Sequence, residues 1–346
     1  MKFTMGFIGF GKSVIRYHLP YLLVRDHVKV KKIYSRTKKE ELENTYKTHG
    51  IEFTYELNEL LNDAEIQLIS ICTAHNSHYE LAKRCLEHNK HVLVEKPFVT
   101  TTEEAKELLT IAKERNLVIM PYQNRRFDSD FLALKEVLEK GYLGEVVEVE
   151  SHMDYYRTEA PSIPGEFYDG AFYGLGVHTL DQIVSLFGKS DKLYYDIRSI
   201  RNSKNPDDYY HVELFYPTFK VIVKTNHLVK VPYPRFIVHG TKGSFIKYGI
   251  DRQEEFLKAG MMPGSVGFGE DREEHYGVVT YTDEQGQEVK QKIPSPVGDY
   301  GKVYDSLYNH IINGQPKLVS DEEVLFLMQI LENGVKGDNP KVLAFN

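Results

Sequence analysis

Along the first third of the chain, short apolar runs alternate with stretches of helical periodicity. Lys2 to Ile8 predicts a strand, and a glycine-rich turn then opens a helix carrying Val14, Ile15 and Leu19. Val28 to Tyr34 predicts a second strand, followed by a charged helix through Glu40, Leu42 and Tyr46 and a helical turn at Leu57 to Leu61. The apolar run Ile66 to Cys72, the helix Tyr79 to His88, the strand His91 to Val94, the helix Thr102 to Glu114 and the strand Val118 to Tyr122 continue the alternation. Strands regularly separated by helices imply a parallel, doubly wound sheet.

Beyond Phe127 the pattern changes. A helix from Ala133 to Lys140 ends at Gly141, and two-residue alternation then takes over in Val146 to His152, His211 to Tyr216, Val221 to Asn226, Phe236 to Gly240 and Val278 to Tyr281. Turn residues at Gly240-Thr241-Lys242-Gly243 fit antiparallel strands. Two late helices are predicted, Val303 to Ile312, broken by Gly314 and Pro316, and Asp321 to Glu332, with Ser320 as N-cap. The expected architecture is an α/β Rossmann domain over residues 1–122. An α+β domain with a large, mostly antiparallel sheet follows over 123–346, and the C-terminal helices are free to pack back on the first domain.

Composition narrows the partners. With 346 residues there is enough chain for two cores, and a net charge of -7 with a pI near 6.1 gives no general attraction for nucleic acid or an anionic membrane. A small-molecule partner fits better. The two cysteines, Cys72 and Cys85, lack ligand-type spacing and are expected to be reduced core thiols. The first residues run straight into a strand pattern without a signal-peptide core, and no later run is apolar enough to span a membrane, so a cytoplasmic location is expected.

Gly9-Phe10-Gly11-Lys12-Ser13-Val14 lies between the first strand and its helix, the context a dinucleotide fingerprint requires. The first glycine allows the tight turn, and the second lets backbone approach a pyrophosphate held by helix N-terminal N–H groups. Val14 stands where a third glycine usually does, which leaves an ordinary βα turn as the alternative. At the end of the second strand, Tyr34-Ser35-Arg36-Thr37-Lys38 offers no carboxylate to a ribose 2′-hydroxyl. Ser35 and Arg36 suit a 2′-phosphate, so NADP is favoured over NAD, a solvated basic turn being the bland alternative.

Val92-Leu93-Val94-Glu95-Lys96-Pro97 ends an apolar strand in a charged pair and a proline at the sheet edge where ligands of open α/β folds bind. The fingerprint, this turn, Asn124-Arg125-Arg126-Phe127 and Gly176-Val177-His178-Thr179-Leu180-Asp181 together resemble the glucose-fructose oxidoreductase/inositol dehydrogenase/rhizopine catabolism (Gfo/Idh/MocA) family over the whole chain. Asp208-Tyr209-Tyr210-His211 is similar to a subgroup near NADP-using inositol dehydrogenases. The resemblance implies an NAD(P)-dependent dehydrogenase or reductase acting on a cyclic polyol, sugar or inositol-type substrate. Lys96 would bond the reacting oxygen and His178 would act as acid/base. It also implies a homodimer or homotetramer built through the open face of the second sheet.

Cofactor contacts are expected at Gly9, Phe10, Gly11, Lys12, Ser13, Ser35, Arg36, Thr73, His75, His78, Glu95, Lys96 and Asn124. Substrate contacts are expected at Lys96, Tyr156, Tyr173 and His178, within or beside a Pro- and Gly-rich loop from Asp154 to Tyr173. Cys72-Thr73-Ala74-His75-Asn76-Ser77-His78 resembles the family's Thr-Pro-Asn-x-x-His turn. Its histidines raise a zinc reading as the alternative, but no metal site is expected. One departure stands out: Gly174 occupies the position, four before His178, where the family usually has Asp. Tyr173, Tyr156 or Asp181 would have to substitute, or turnover is altered. A non-catalytic dinucleotide-binding sensor and, more weakly, a cofactor-retaining hydrolase are the alternatives.

Overall fold

The computed structural model describes residues 3–160 and 165–345. Lys2, at the start of the first predicted strand, and residues 161–164, inside the Asp154 to Tyr173 loop, lie outside the described residues. The chain forms two compact units, each gathered from several stretches of sequence. The first takes residues up to Asn124 together with Glu254–Phe268 and Asp299–Met328, and the second takes Arg125–Gln253, Gly269–Gly298 and Gln329–Asn346.

Six strands build the sheet of the first unit: β1 (Phe3–Ile8), β2 (Val28–Tyr34), β3 (Glu52–Thr54), β4 (Leu68–Ile71), β5 (His91–Val94) and β6 (Ile119–Pro121). Their order is β3-β2-β1-β4-β5-β6, with every pairing parallel. Central strands covered on both sides need apolar residues on both faces, which is why β4 is buried at all four positions and is apolar at all but Ser70. Helix Thr102–Glu114 begins where Thr101 and Glu104 cap each other's backbone N–H groups.

Register has a direct consequence for function. Ile8 pairs with Tyr34 and Ile71, and Ile71 pairs with Val94. Gly9, Ser35, Cys72 and Glu95 therefore leave the sheet side by side at its carboxyl edge. Strand order reverses between β1 and β4, the switch point at which open α/β sheets bind ligands. The segment Glu254–Phe268 adds to this unit's core, where Tyr21, Leu257, Phe268 and Tyr300 pack together.

In the second unit the strands are β7 (Val146–His152), β8 (Lys192–Arg198), β9 (Tyr209–Phe215), β10 (Lys220–Asn226), β11 (Phe236–Gly240), β12 (Gly243–Lys247), β13 (Gly277–Thr282), β14 (Glu288–Ile293) and β15 (Lys341–Ala344). They form one sheet in the order β14-β13-β12-β11-β7-β10-β9-β8-β15. All pairs are antiparallel except β7 with β10. Strands β9 and β10 alternate between buried and half-buried positions, as expected of a sheet with one covered face. Helix Ser129–Glu139 packs on β12 and β13, and helix Val177–Phe187 on β10.

Five strands depart from the sequence expectation: β3, β8, β12, β14 and β15 were not predicted. Strand β3 has only three residues, and β14, Glu-Val-Lys-Gln-Lys-Ile, buries only its last, so neither carries an apolar period. The helix expected after the fingerprint opens as a wide π-type turn, Val14–His18, before a short α-helix, Leu19–Leu22, with Pro20 in its first turn, where a missing N–H costs nothing.

Candidate functional site

At the carboxyl edge of the first sheet lies a cavity of about 830 Å³ lined by Gly9, Phe10, Gly11, Ser35, Arg36 and Thr73 from the predicted set. Gly9 adopts φ +107°, and a Cβ there would stand 2.3 Å from the carbonyl oxygen of Cys72. Only glycine fits this crossing of backbones. A Cβ on Gly11 would meet nothing within 4 Å, which leaves its backbone open to a ligand. Phe10 lines the cavity from a buried position, its ring packed on Phe53 (4.9 Å) and Tyr46 (5.8 Å). The Ser35 hydroxyl donates to the Thr37 carbonyl oxygen (2.9 Å) and steadies the turn that carries Arg36.

Two cations that sequence reasoning missed join this wall. Lys39 lines the cavity with its ammonium on the Phe10 carbonyl oxygen (2.5 Å), and Arg84 reaches it from the helix His78–Glu87. The Arg84 guanidinium donates to Asn58 at 3.0 Å. Glu80, on the same helix, is the acidic side chain among these lining residues.

His78 requires correction. Its ring is fully buried, with Nδ1 2.9 Å from the Pro97 carbonyl oxygen and Nε2 3.2 Å from that of Thr73. Burial pushes its pKa down despite these backbone bonds. His78 therefore ties the Thr73 turn to the Lys96-Pro97 turn and is not exposed to a cofactor. Lys12, Ser13, His75, Glu95, Lys96 and Asn124 do not line this cavity. His75 stands edge-on to His78 at 5.7 Å, and Asn124 is buried at the start of a 3₁₀ turn, Asn124–Phe127.

Glu95 is tied to several elements. Its Oε1 accepts bonds from Ser13 Oγ and from His18 Nε2 (2.9 Å), and its Oε2 accepts the Lys96 backbone N–H at 3.1 Å. Burial alone would raise the carboxyl, but the bonds from His18 and Ser13 and the charge of Lys96 hold it down at about 2. The Lys96-Pro97 bond is cis. Both cysteines are free and buried, and burial raises both thiols, so neither is a ready nucleophile.

In the second unit His178 is 5 % exposed, one residue into the helix Val177–Phe187 and directly after a wide π-type turn, Phe172–Gly176. The turn that follows it is anchored three ways. Thr179 Oγ1 meets Tyr210 Oη at 2.9 Å, Arg126 forks onto both oxygens of Asp181 at 2.8 Å each, and Arg235 donates to Gln182 at 2.6 Å. Asp181 is thus a buried structural partner of Arg126. A Cβ at Gly174 would meet nothing within 4 Å, so the position where the family carries Asp is open.

Of the two tyrosines, Tyr156 is 53 % exposed, with Lys230 over its ring at 5.6 Å. Tyr173 is fully buried and edge-on to Phe167 at 5.2 Å, which makes it a packing residue and corrects its expected role as an open substrate contact.

Asp207 accepts the Phe172 backbone N–H at 2.6 Å, and burial pushes its carboxyl from the usual 3.8 up to about 7. A raised acid keeps its proton longer when folded, so stability from this group falls as pH rises from 3.8 through about 7. Asp207→Asn keeps an acceptor but cannot ionise. Its melting temperature relative to the parent is expected to rise between pH 4.5 and pH 8, as followed by circular dichroism, and a constant difference would refute this.

A strand–turn–helix cradle at the switch point of a six-stranded parallel sheet, in a chain that also carries a mixed α/β unit, defines a dinucleotide-binding protein. Two family profiles match the chain: "Oxidoreductase family, NAD-binding Rossmann fold" over residues 3–123 and "Oxidoreductase family, C-terminal alpha/beta domain" over 135–342. The chain belongs to the Gfo/Idh/MocA oxidoreductases and is an NAD(P)-dependent enzyme. It is 54 % identical to YhhX, an uncharacterized oxidoreductase of Escherichia coli (strain K12), across 99 % of both chains. It is 33 % identical to the scyllo-inositol 2-dehydrogenase (NADP(+)) IolW of Bacillus subtilis (strain 168), across 97 % of this chain and 94 % of that one. A crystal structure of an oxidoreductase from Bacillus cereus superposes with a TM-score of 0.98 at 51 % identity, over 100 % of this chain and 99 % of the other. No helix among the described residues is long and apolar enough to cross a membrane.

Proposed function

We propose that the protein transfers a hydride between NADP and a cyclic polyol or inositol-type substrate, with Lys96 and His178 as its catalytic residues. The observation that carries the cofactor half is the wall of the 830 Å³ cavity, which Arg36, Lys39 and Arg84 all line, with no carboxylate offered at the end of β2. Gly9, Gly11 and Thr73 supply the cradle, and Arg36, with the Ser35 hydroxyl turned from the Thr37 carbonyl oxygen, holds the 2′-phosphate. A bound nicotinamide supplies or accepts the hydride. The Lys96 ammonium stabilises negative charge growing on the reacting oxygen, and the His178 imidazole exchanges that oxygen's proton. The relationship to an NADP-dependent inositol dehydrogenase favours a polyol substrate.

The test is an absorbance screen at about 340 nm, where reduced nicotinamide absorbs, with both dinucleotides against inositols, inososes and hexoses. Steady turnover with NADP and one polyol is expected. Replacing Arg36 by Ala should weaken NADP binding by about 10-fold or more and leave NAD binding nearly unchanged. Equal losses for both dinucleotides would remove the 2′-phosphate assignment.

The open position at Gly174 favours one second reading, a dinucleotide-binding sensor without turnover. It predicts cofactor binding, no reaction across the panel and no effect of Lys96→Ala.

A further inference from the structure

The wide turn after the fingerprint carries a fully buried histidine that the chemistry above does not use. His18 presents Nδ1 to Tyr304 Oη at 2.6 Å and Nε2 to Glu95 Oε1 at 2.9 Å. Its ring stacks on Tyr122, with centroids 4.1 Å apart, and meets Phe7 edge-on at 5.6 Å. Tyr122 is itself held by a bond from its hydroxyl to the Tyr17 carbonyl oxygen (2.7 Å). The imidazole therefore has one fixed orientation, with Nε2 held against the Glu95 carboxylate.

Glu95 in turn joins two pieces of backbone with separate tasks. Ser13, which bonds it, begins the helix behind the fingerprint turn, and the Lys96 N–H, which also bonds it, belongs to the turn that carries the ammonium. Cys72 completes the neighbourhood, with Sγ 3.5 Å from His18 Nε2. Ligand atoms of His18, Cys72 and Glu95 lie within 4.8 Å of one another. A metal does not fit between them, because the His18 and Glu95 atoms are in direct hydrogen-bond contact at 2.9 Å. Atoms that share a zinc ion through bonds of about 2 Å stand farther apart than that.

We infer that His18 is a positioning residue for the reacting end of the cofactor site. Through Glu95 it locks the start of the fingerprint helix to the Lys96 turn, so that dinucleotide and ammonium are held in one frame. The inference rests on the proposed place of Lys96 at the reacting end. The physical reason is the location of the carboxylate. A buried charge that loses its partner takes up a proton or turns away, and Ser13 and the Lys96 N–H then lose their common acceptor. A drift of about 1 Å at a reacting group costs about 100-fold in rate.

The test uses the full-length protein and the affinity for reduced dinucleotide, read by calorimetry or nucleotide fluorescence, with NADPH and NADH as probes. His18→Phe, which keeps the flat ring and removes the bond, is expected to weaken binding by about 10-fold. His18→Gln, whose amide donates to Glu95, should stay within about 3-fold of the parent. Glu95→Gln should lose about as much as His18→Phe, and the double variant no more than the worse single one. With a substrate in hand, kcat should fall in the same order while KM for the polyol stays put, a split that a merely structural role does not produce.

Folded His18→Phe with parental affinity, or losses that add in the double variant, would overturn the inference. Failure of the parent to bind either dinucleotide would overturn it together with the cofactor reading, whereas an intact parent with an indifferent His18→Phe overturns this inference alone. Should His18→Phe not fold, His18→Asn, whose shorter amide stops short of Glu95, takes its place in the same cycle with the same expected loss.

Discussion

Lys96→Ala is expected to lower kcat by about 100- to 1000-fold while dinucleotide affinity stays within a few-fold of the parent. A fixed ammonium is worth most where negative charge develops during reaction, and it is worth more in a site that excludes water. The peptide of Lys96 is held by Glu95, and Glu95 by Ser13 and His18, so shortening the side chain removes the cation without loosening the turn. Steady-state kinetics with the polyol identified in the screen, together with a binding titration, separate the two effects. A variant that turns over normally would remove Lys96 from the chemistry.

The second large effect concerns Gly9. Gly9→Ala places a methyl group 2.3 Å from the Cys72 carbonyl oxygen and 3.0 Å from its carbon, on a residue whose φ of +107° disfavours any side chain. Backbone of a central strand cannot step aside, so a loss of roughly 2–4 kcal/mol in stability is expected, with dinucleotide binding abolished in whatever folds. Gly11→Ala is the informative companion. Its methyl meets nothing within 4 Å, so it should melt like the parent yet bind dinucleotide about 10-fold more weakly or worse. Equal melting temperatures for the two variants would refute the assignment of separate tasks to the two glycines.

How far each feature could be read from sequence depended on the range of the interactions behind it. Strands β4 and β5 are buried on both faces and advertise themselves as apolar runs, and the Gly9 to Ser13 turn is a local pattern, so both were legible. Edge strand β3, Glu-Phe-Thr, has too few residues to show a period. Lys39 and Arg84 meet at one cavity only because the fold brings two helices to the same edge, and nothing in either neighbourhood hints at the other. His78 misled for the opposite reason. It lies beside a cofactor turn in sequence, but its ring turns inward to two carbonyl groups. His18 was invisible as a functional candidate because one partner, Glu95, lies 77 positions away and the other, Tyr304, 286.

The interleaving of the two units bears on how the chain is made. A ribosome releasing residues in order delivers β1 to β6 early, yet Tyr21 must wait for Leu257, Phe268 and Tyr300 before its cluster closes, and His18 must wait for Tyr304. Arg25 likewise stays without Asp299 and Asp305, its partners at 2.7 Å, until those distant residues have been made. The nucleotide-binding lobe is thus finished by segments made long after its strands, and a nascent chain halted after β6 would leave that lobe unsealed.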